Sequence, residues 1–162
     1  MKIILRHYQP GDLDALLKLF KETVHAVNAK DYTEAQLDAW APEVLDVERW
    51  QQTLSKNHTL IAEQDDAIIG FADVETNGYF NRLYVHKDFQ GRGVAKLLTK
   101  ALEDYVIQQG LSSIMVTASI TAKPFFESRG YTVIAEVSSE SKGQVLANFL
   151  MDKTIEAECL VF

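Results

Sequence analysis

A short apolar run, Leu83-Tyr84-Val85, is followed after four residues by Gln90-Gly91-Arg92-Gly93-Val94-Ala95, and the chain then becomes strongly helical in pattern. Val94, Leu97, Leu98, Ala101, Leu102, Tyr105 and Val106 recur at the spacing that places them on one helix face, and Gly110 supplies a stop. A strand that feeds a long helix through two glycines must reverse direction sharply and leave the first helical turn bare. The N–H groups of that turn have no partner within the helix, and Gly91 and Gly93 put no side chain between the backbone and an approaching anion. Arg92 and Lys96 add positive charge beside it. The junction suits a diphosphate, although the two glycines alone also fit a plain tight turn.

The rest of the chain supplies the frame for this unit. Residues 2–8 read as a strand, Pro10-Gly11-Asp12 ends it, and Leu13, Leu16, Leu17 and Phe20 then recur at helical spacing. Thr33-Glu34-Ala35-Gln36 has the capping-box form, with Leu37 and Trp40 on one face and Pro42 closing the segment. Residues 48–55 give a further helical turn or two. Residues 59–63 and 68–74 pair as a hairpin across Asp65-Asp66, and Asn77-Gly78 leads into a strand at 79–85. Beyond the long helix, 113–117 reads as a buried strand, 121–129 as a helix ended by Gly130, and 131–137 with 145–151 as two closing strands. Hairpins, one strand-helix-strand crossover and helices on both sides predict an α/β fold of the α+β type, built on a mixed central sheet of about six to seven strands.

The 162 residues, 47% apolar and 24% charged, fit one domain spanning 1–162. Sixteen basic against 23 acidic residues leave a net charge of −7, which argues against a general affinity for nucleic acid or an anionic membrane. Glu34, Asp38, Glu43, Asp46 and Glu48 form an acidic run that reads as a solvated face. Cys159 is the single cysteine, so neither an internal disulfide nor a cysteine-pair zinc site can form, and His7, His25, His58 and His86 lack metal-ligand spacing. The first residues do not form a signal peptide, and no stretch approaches the ~20 apolar residues of a membrane span. A cytoplasmic protein that needs no metal is expected. The third small residue and downstream acid of a dinucleotide-binding fingerprint are missing, as is the Gly-Lys-Ser/Thr ending of a phosphate loop.

The junction 90–95 also resembles the acetyl-CoA motif of the GNAT superfamily of N-acetyltransferases, Q/R-x-x-G-x-G/A. Farther on, Ala122-Lys123-Pro124-Phe125-Phe126-Glu127-Ser128-Arg129-Gly130-Tyr131 resembles the second signature of that superfamily, and the two lie in the expected order and separation. The resemblance implies a V-shaped splay between two central strands. It also implies that backbone groups of Leu83 and Val85, flanking Tyr84, pair with the pantetheine arm as an added strand would. Gln90, Gly91, Arg92, Gly93, Val94, Ala95 and Lys96 then surround the diphosphate, and Ser119, Phe125 and Phe126 complete the cofactor groove. Acetyl-CoA is the implied acyl donor, a primary amine of a small molecule or peptide the acceptor, and a homodimer through the C-terminal strands the implied assembly. Early helices of this fold border the acceptor groove, which makes Trp40, Tyr32 and Leu37 candidates for it.

Two positions depart from the pattern. Phe126 stands where many relatives carry a tyrosine that protonates the departing thiolate, which leaves water, Tyr131 or Ser119 as substitutes. The strand before the glycine junction offers Tyr79 and Asn81 at its inward positions, neither of them a carboxylate, so Glu75, one hairpin earlier beside Asp73, is the candidate base. Transfer without a covalent enzyme intermediate is the expected activity. The alternative is a catalytically reduced acyl-CoA-binding sensor or interaction module of the same fold.

Overall fold

The computed structural model describes residues 2–155. Its elements run β1 (Ile4–His7), α1 (Leu13–Val27), α2 (Glu34–Trp40), α3 (Val47–Lys56), β2 (His58–Gln64), β3 (Ala67–Val74), β4 (Tyr79–Val85), α4 (Val94–Gln108), β5 (Ser113–Ser119), α5 (Lys123–Ser128), β6 (Thr132–Ser141) and β7 (Gln144–Thr154). The strands form one seven-stranded sheet in the order β1-β2-β3-β4-β5-β7-β6. All neighbours are antiparallel except β4 and β5, the two strands joined through α4. Cys159 lies outside the described residues, and no helix among those residues is long and apolar enough to cross a membrane.

Local chemistry explains the turns. Asp65 and Asp66, at φ 52° and 63°, close the β2–β3 hairpin in the left-handed region that short polar side chains tolerate. Thr33 Oγ1 accepts from the Gln36 amide at 3.1 Å while Gln36 Oε1 accepts from the Thr33 backbone N–H at 2.9 Å, completing the capping box of α2. Apolar residues of α4 and α5 cover one face of the sheet, with Leu98, Leu102 and Phe126 fully buried. Helices α1, α2 and α3 cover the other, packing Leu16, Phe20, Leu37 and Leu54 against Ile61 and Phe71.

Two features of the sheet position the site. First, β4 and β5 pair only at Tyr79 with Met115 and Phe80 with Val116. Their other edges stay paired, β4 with β3 and β5 with β7 along its whole length, so the strands part into a V that opens toward the C-terminal end of β4. Second, Asp73 pairs with Arg82 but Val74 with Phe80, which makes Asn81 the extra residue of a β-bulge. The bulge switches the alternation of faces. Phe80 and Leu83 join the α4-side core, whereas Arg82 lies over Trp50 and Tyr84 packs with Phe20 and Phe71 on the opposite side. Unbroken alternation puts Tyr79 and Asn81 together on one inward face; the bulge separates them, leaving Asn81 exposed at the kink.

Asp73 holds the kink. Its carboxylate, with no solvent exposure, accepts from Arg82 Nε at 3.0 Å, Arg82 Nη2 at 2.9 Å and Asn57 Nδ2 at 2.9 Å. Gly70 of β3 brings the start of α4 close. A Cβ there would stand 3.0 Å from Val94 Cγ1 and 3.2 Å from the Tyr84 carbonyl oxygen.

Candidate active site

The V opens into a cleft of about 310 Å³, lined by β4, β5, the 89–96 junction, the start of α5, the end of α1 and Trp40. At one end Gly91 and Gly93 take φ values of 72° and 84°, and a Cβ on either would meet nothing within 4 Å. This is an open cradle rather than a packed turn. Gly93 caps α4 without a side chain, and the first helical bond runs from the Leu97 amide to the Gly93 carbonyl at 3.1 Å. The amides of Val94, Ala95 and Lys96 therefore have no partner inside the helix, at the end where its dipole favours negative charge. Lys96 lines the cleft; Arg92 instead lies over the Phe89 ring at 5.1 Å and does not.

Gln90 and Val85 both line the cleft. The Gln90 side chain donates to the Val85 carbonyl at 2.7 Å, and Thr23 Oγ1 donates to the same oxygen at 3.2 Å. Gln90 thereby ties the loop to the end of β4, and the Val85 carbonyl is taken, leaving its amide and the Leu83 backbone on the open edge. Ser119 lines the cleft, and its hydroxyl accepts from the Ala122 amide at 3.0 Å, tying β5 to α5. Phe125 and Phe126 form the floor. Phe126 is buried, with ring centroids 5.5 Å from Phe80, 5.2 Å from Phe125 and 5.1 Å from Tyr131.

Tyr131 cannot replace the missing phenol at this position. It is buried beneath Phe126, does not line the cleft, and donates to Glu103 at 2.8 Å, which Lys153 also holds at 3.1 Å. Burial, then the adjacent carboxylate, drives its pKa far above the ordinary phenol range. Tyr84 does line the cleft; burial pushes its phenol up to about 12 against a hydrogen bond with Trp40.

The candidate base is not where the sequence suggested. Glu75 sits at the β3–β4 turn, its amide bonded to the Tyr79 carbonyl at 2.8 Å, and it does not line the cleft. Asp73 is enclosed by its partners. Tyr79 donates its hydroxyl to Thr117 Oγ1 at 2.7 Å; Thr117, near the closed end of the V, and Asn81 line the cleft, and Tyr79 does not. No Asp, Glu or His lines the cleft among the described residues, and no group of three or more metal-binding side chains occurs among them.

A strap across the open mouth of the V was not legible beforehand. Thr23 bonds the end of β4. Nine residues later the Tyr32 hydroxyl accepts from the Ile120 amide at 2.9 Å and donates to the Ala147 carbonyl at 2.9 Å, while Asp31 accepts from Thr121 Oγ1 at 2.7 Å just past β5. Tyr32 and Leu37 are thus core residues, and only Trp40 of that trio reaches the cleft. Asn28, midway along the strap, also lines it.

A family model for the acetyltransferase (GNAT) domain matches residues 28–155. The chain belongs to the GNAT superfamily of N-acetyltransferases. As a GNAT protein it is an acyltransferase by class. It is 34% identical over 149 residues to the N-acetyltransferase YafP of Escherichia coli K12, covering 92% of this chain and 94% of that one. The crystal structure of a GCN5-related N-acetyltransferase from Rhodopseudomonas palustris superposes with a TM-score of 0.92 at 34% identity, covering 96% and 97% of the two chains. The PaiA N-acetyltransferase of Thermoplasma acidophilum, crystallised with coenzyme A, shares the GNAT fold at a TM-score of 0.78 and 20% identity, over 95% and 99% of the chains.

Proposed function

We propose that this GNAT chain, as one domain across residues 1–162, transfers the acetyl group of acetyl-CoA directly to the nitrogen of an amine acceptor. The observation that carries the reading is the V between β4 and β5, whose free backbone edge runs straight into the unfilled cradle at Gly91 and Gly93. An extended arm fits that edge as an added strand, through the Leu83 backbone and the Val85 amide, and a diphosphate fits the amides of residues 91–96 with Lys96 beside them. Val94, Ala95, Phe125 and Phe126 supply the apolar wall and floor. Acetyl-CoA supplies the activated thioester carbonyl. The chain's residues bind it, orient it and exclude bulk water from one side, a positioning effect that is large for two reactants brought into one frame.

With no carboxylate on the wall, we assign no base to Glu75, and water in the open cleft removes the nitrogen's proton. Thr117, backed by the Tyr79 hydroxyl, is the side-chain donor facing the closed end and takes the place that Phe126 leaves empty. A thiol's reference pKa of about 8.5 makes this a modest requirement near neutral pH. The same two departures, Phe126 and the bare wall, favour a second reading as an acyl-CoA-binding module without transfer.

Calorimetric titration tests the site. Acetyl-CoA binds the wild type and loses at least tenfold in affinity with Gly93→Val; unchanged affinity rejects the cradle. Thiol release over a panel of amines then separates enzyme from binder, because a pure binder releases none.

A further inference from the structure

Asn28 is 6% exposed, lines the cleft, and its carboxamide has no hydrogen-bond partner among the described residues. Its place on the strap, between the Thr23 bond to β4 and the Asp31 and Tyr32 bonds beyond β5, sets it over the mouth of the V. Its polar atoms are still reached from the cleft, so water or a ligand entering the site can bond them, and no protein group among the described residues competes for them. Around it the wall carries aromatic rings, Trp40 and Tyr84, and no carboxylate or imidazole among the described residues. The charged side chains lining the cleft are Arg82 and Lys96, both cationic. The carboxylates closest behind the wall are committed: Asp73 to Arg82 and Asn57, Asp31 to Thr121. The acidic run around α2 is exposed and does not reach the cleft.

An alkylammonium entering such a site finds no counter-charge and no side-chain base, only water, to take its proton. With a reference pKa of about 10.4 for a lysine-like amine, roughly one molecule in 2,500 is neutral at pH 7. We infer that the acceptor of this acetyltransferase is a weakly basic aromatic amine, stacked in the ring-lined half of the cleft, with the Asn28 carboxamide as its hydrogen-bonding specificity residue. The inference rests on the acetyl-transfer reading above. An aromatic amine carries its lone pair free at neutral pH. Its nitrogen forms the new N–C bond, the C–S bond breaks with its electron pair remaining on sulfur, and the proton shed by nitrogen ends on that sulfur through water, so no further reactant is needed.

The test uses two isomers, p-toluidine and benzylamine, of equal composition and similar shape but opposite charge state at pH 7. Wild-type kcat/KM for p-toluidine exceeds that for benzylamine at least tenfold at pH 7.5. It stays flat from pH 6.5 to 8.5, while the benzylamine value climbs about tenfold per unit as its neutral fraction grows. Asn28→Asp, which places a carboxylate on the wall, lowers the p-toluidine value and raises the benzylamine one with acetyl-CoA affinity unchanged; Asn28→Ala lowers only the former. A wild type that prefers benzylamine, or variants that lose acetyl-CoA binding and both acceptors in equal measure, overturns the inference. If neither isomer releases thiol, the amine panel above judges the transfer reading separately, and calorimetric titration of each isomer into the CoA-loaded wild type judges this inference: tighter p-toluidine sustains it, tighter benzylamine or no binding of either ends it.

Discussion

Asp73 and Arg82 form the most consequential buried ion pair of this GNAT sheet, and replacing Asp73 by Asn isolates what the pair does. The carboxylate is 0% exposed and the arginine side chain 11%. Asn preserves the volume but withdraws the counter-charge and turns an N–H₂ toward donors on Arg82 or Asn57. Removing one partner of a buried pair costs about 3–5 kcal/mol, because the other charge stays buried without compensation. At about 2–4 °C per kcal/mol for a chain of this size, the melting temperature falls by roughly 6–20 °C. Urea unfolding and calorimetry read both numbers. The double variant Asp73→Asn/Arg82→Met recovers most of the loss, since it leaves no uncompensated charge buried. A single-variant loss below about 1 kcal/mol, or a double variant no better than the single, refutes the assignment of the kink to this pair.

Gly70→Ala forces a methyl to within 3.0 Å of Val94 and 3.2 Å of a backbone oxygen, so it destabilises by about 1–3 kcal/mol and weakens acetyl-CoA binding as α4 shifts; chemical denaturation and calorimetry check it. Burial, with His7 adding to it, holds the His58 imidazole below its ordinary pKa. The unfolded chain then binds the extra proton first, so this contribution is complete above about pH 6.5 and is lost as pH falls through the folded value. Melting curves from pH 7.5 to 5 therefore decline less for His58→Phe, which keeps a ring against Tyr105, than for the wild type; parallel curves contradict it. Tyr79→Phe removes the hydroxyl behind Thr117, lowering kcat while leaving the dissociation constant for acetyl-CoA unchanged, and a matched loss of binding shows a purely structural role.

Much of this was legible because local signals agreed with the fold. The glycine junction, the period of α4 and the Asp65-Asp66 turn are each written in neighbouring residues. The closing hairpin was found but shortened. Its outer halves run through Ser138, Ser139, Glu140 and Ser141, polar residues without apolar alternation, and the turn at Lys142 and Gly143 needs the left-handed conformation both adopt. The bulge at Asn81 was invisible because it arises from the partner strand. It is Asp73, drawn to Arg82 from nine residues away, that decides which face each residue of β4 presents. The strap escaped for the same reason, since Tyr32 reveals its role only once Ile120 and Ala147 are beside it.

The two halves of the cleft are held by different physics, which bears on how it works. The floor is an aromatic cluster: Phe126 touches Phe80, Phe125 and Tyr131, and the last is anchored to the buried Glu103 and Lys153. Close-packed rings resist displacement, so the floor sets a fixed depth for whatever lies in the V. The roof is pinned by neutral hydrogen bonds at Thr23 and Tyr32, worth about 0.5–1.5 kcal/mol net each, and a charge-assisted one at Asp31, worth about 1.5–3 kcal/mol. Such bonds can open and re-form as a ligand passes. A rigid floor beneath a yielding roof favours precise placement of a bound thioester with easy admission of the second reactant, which is what a site without its own acid on Phe126 or its own base on the wall requires.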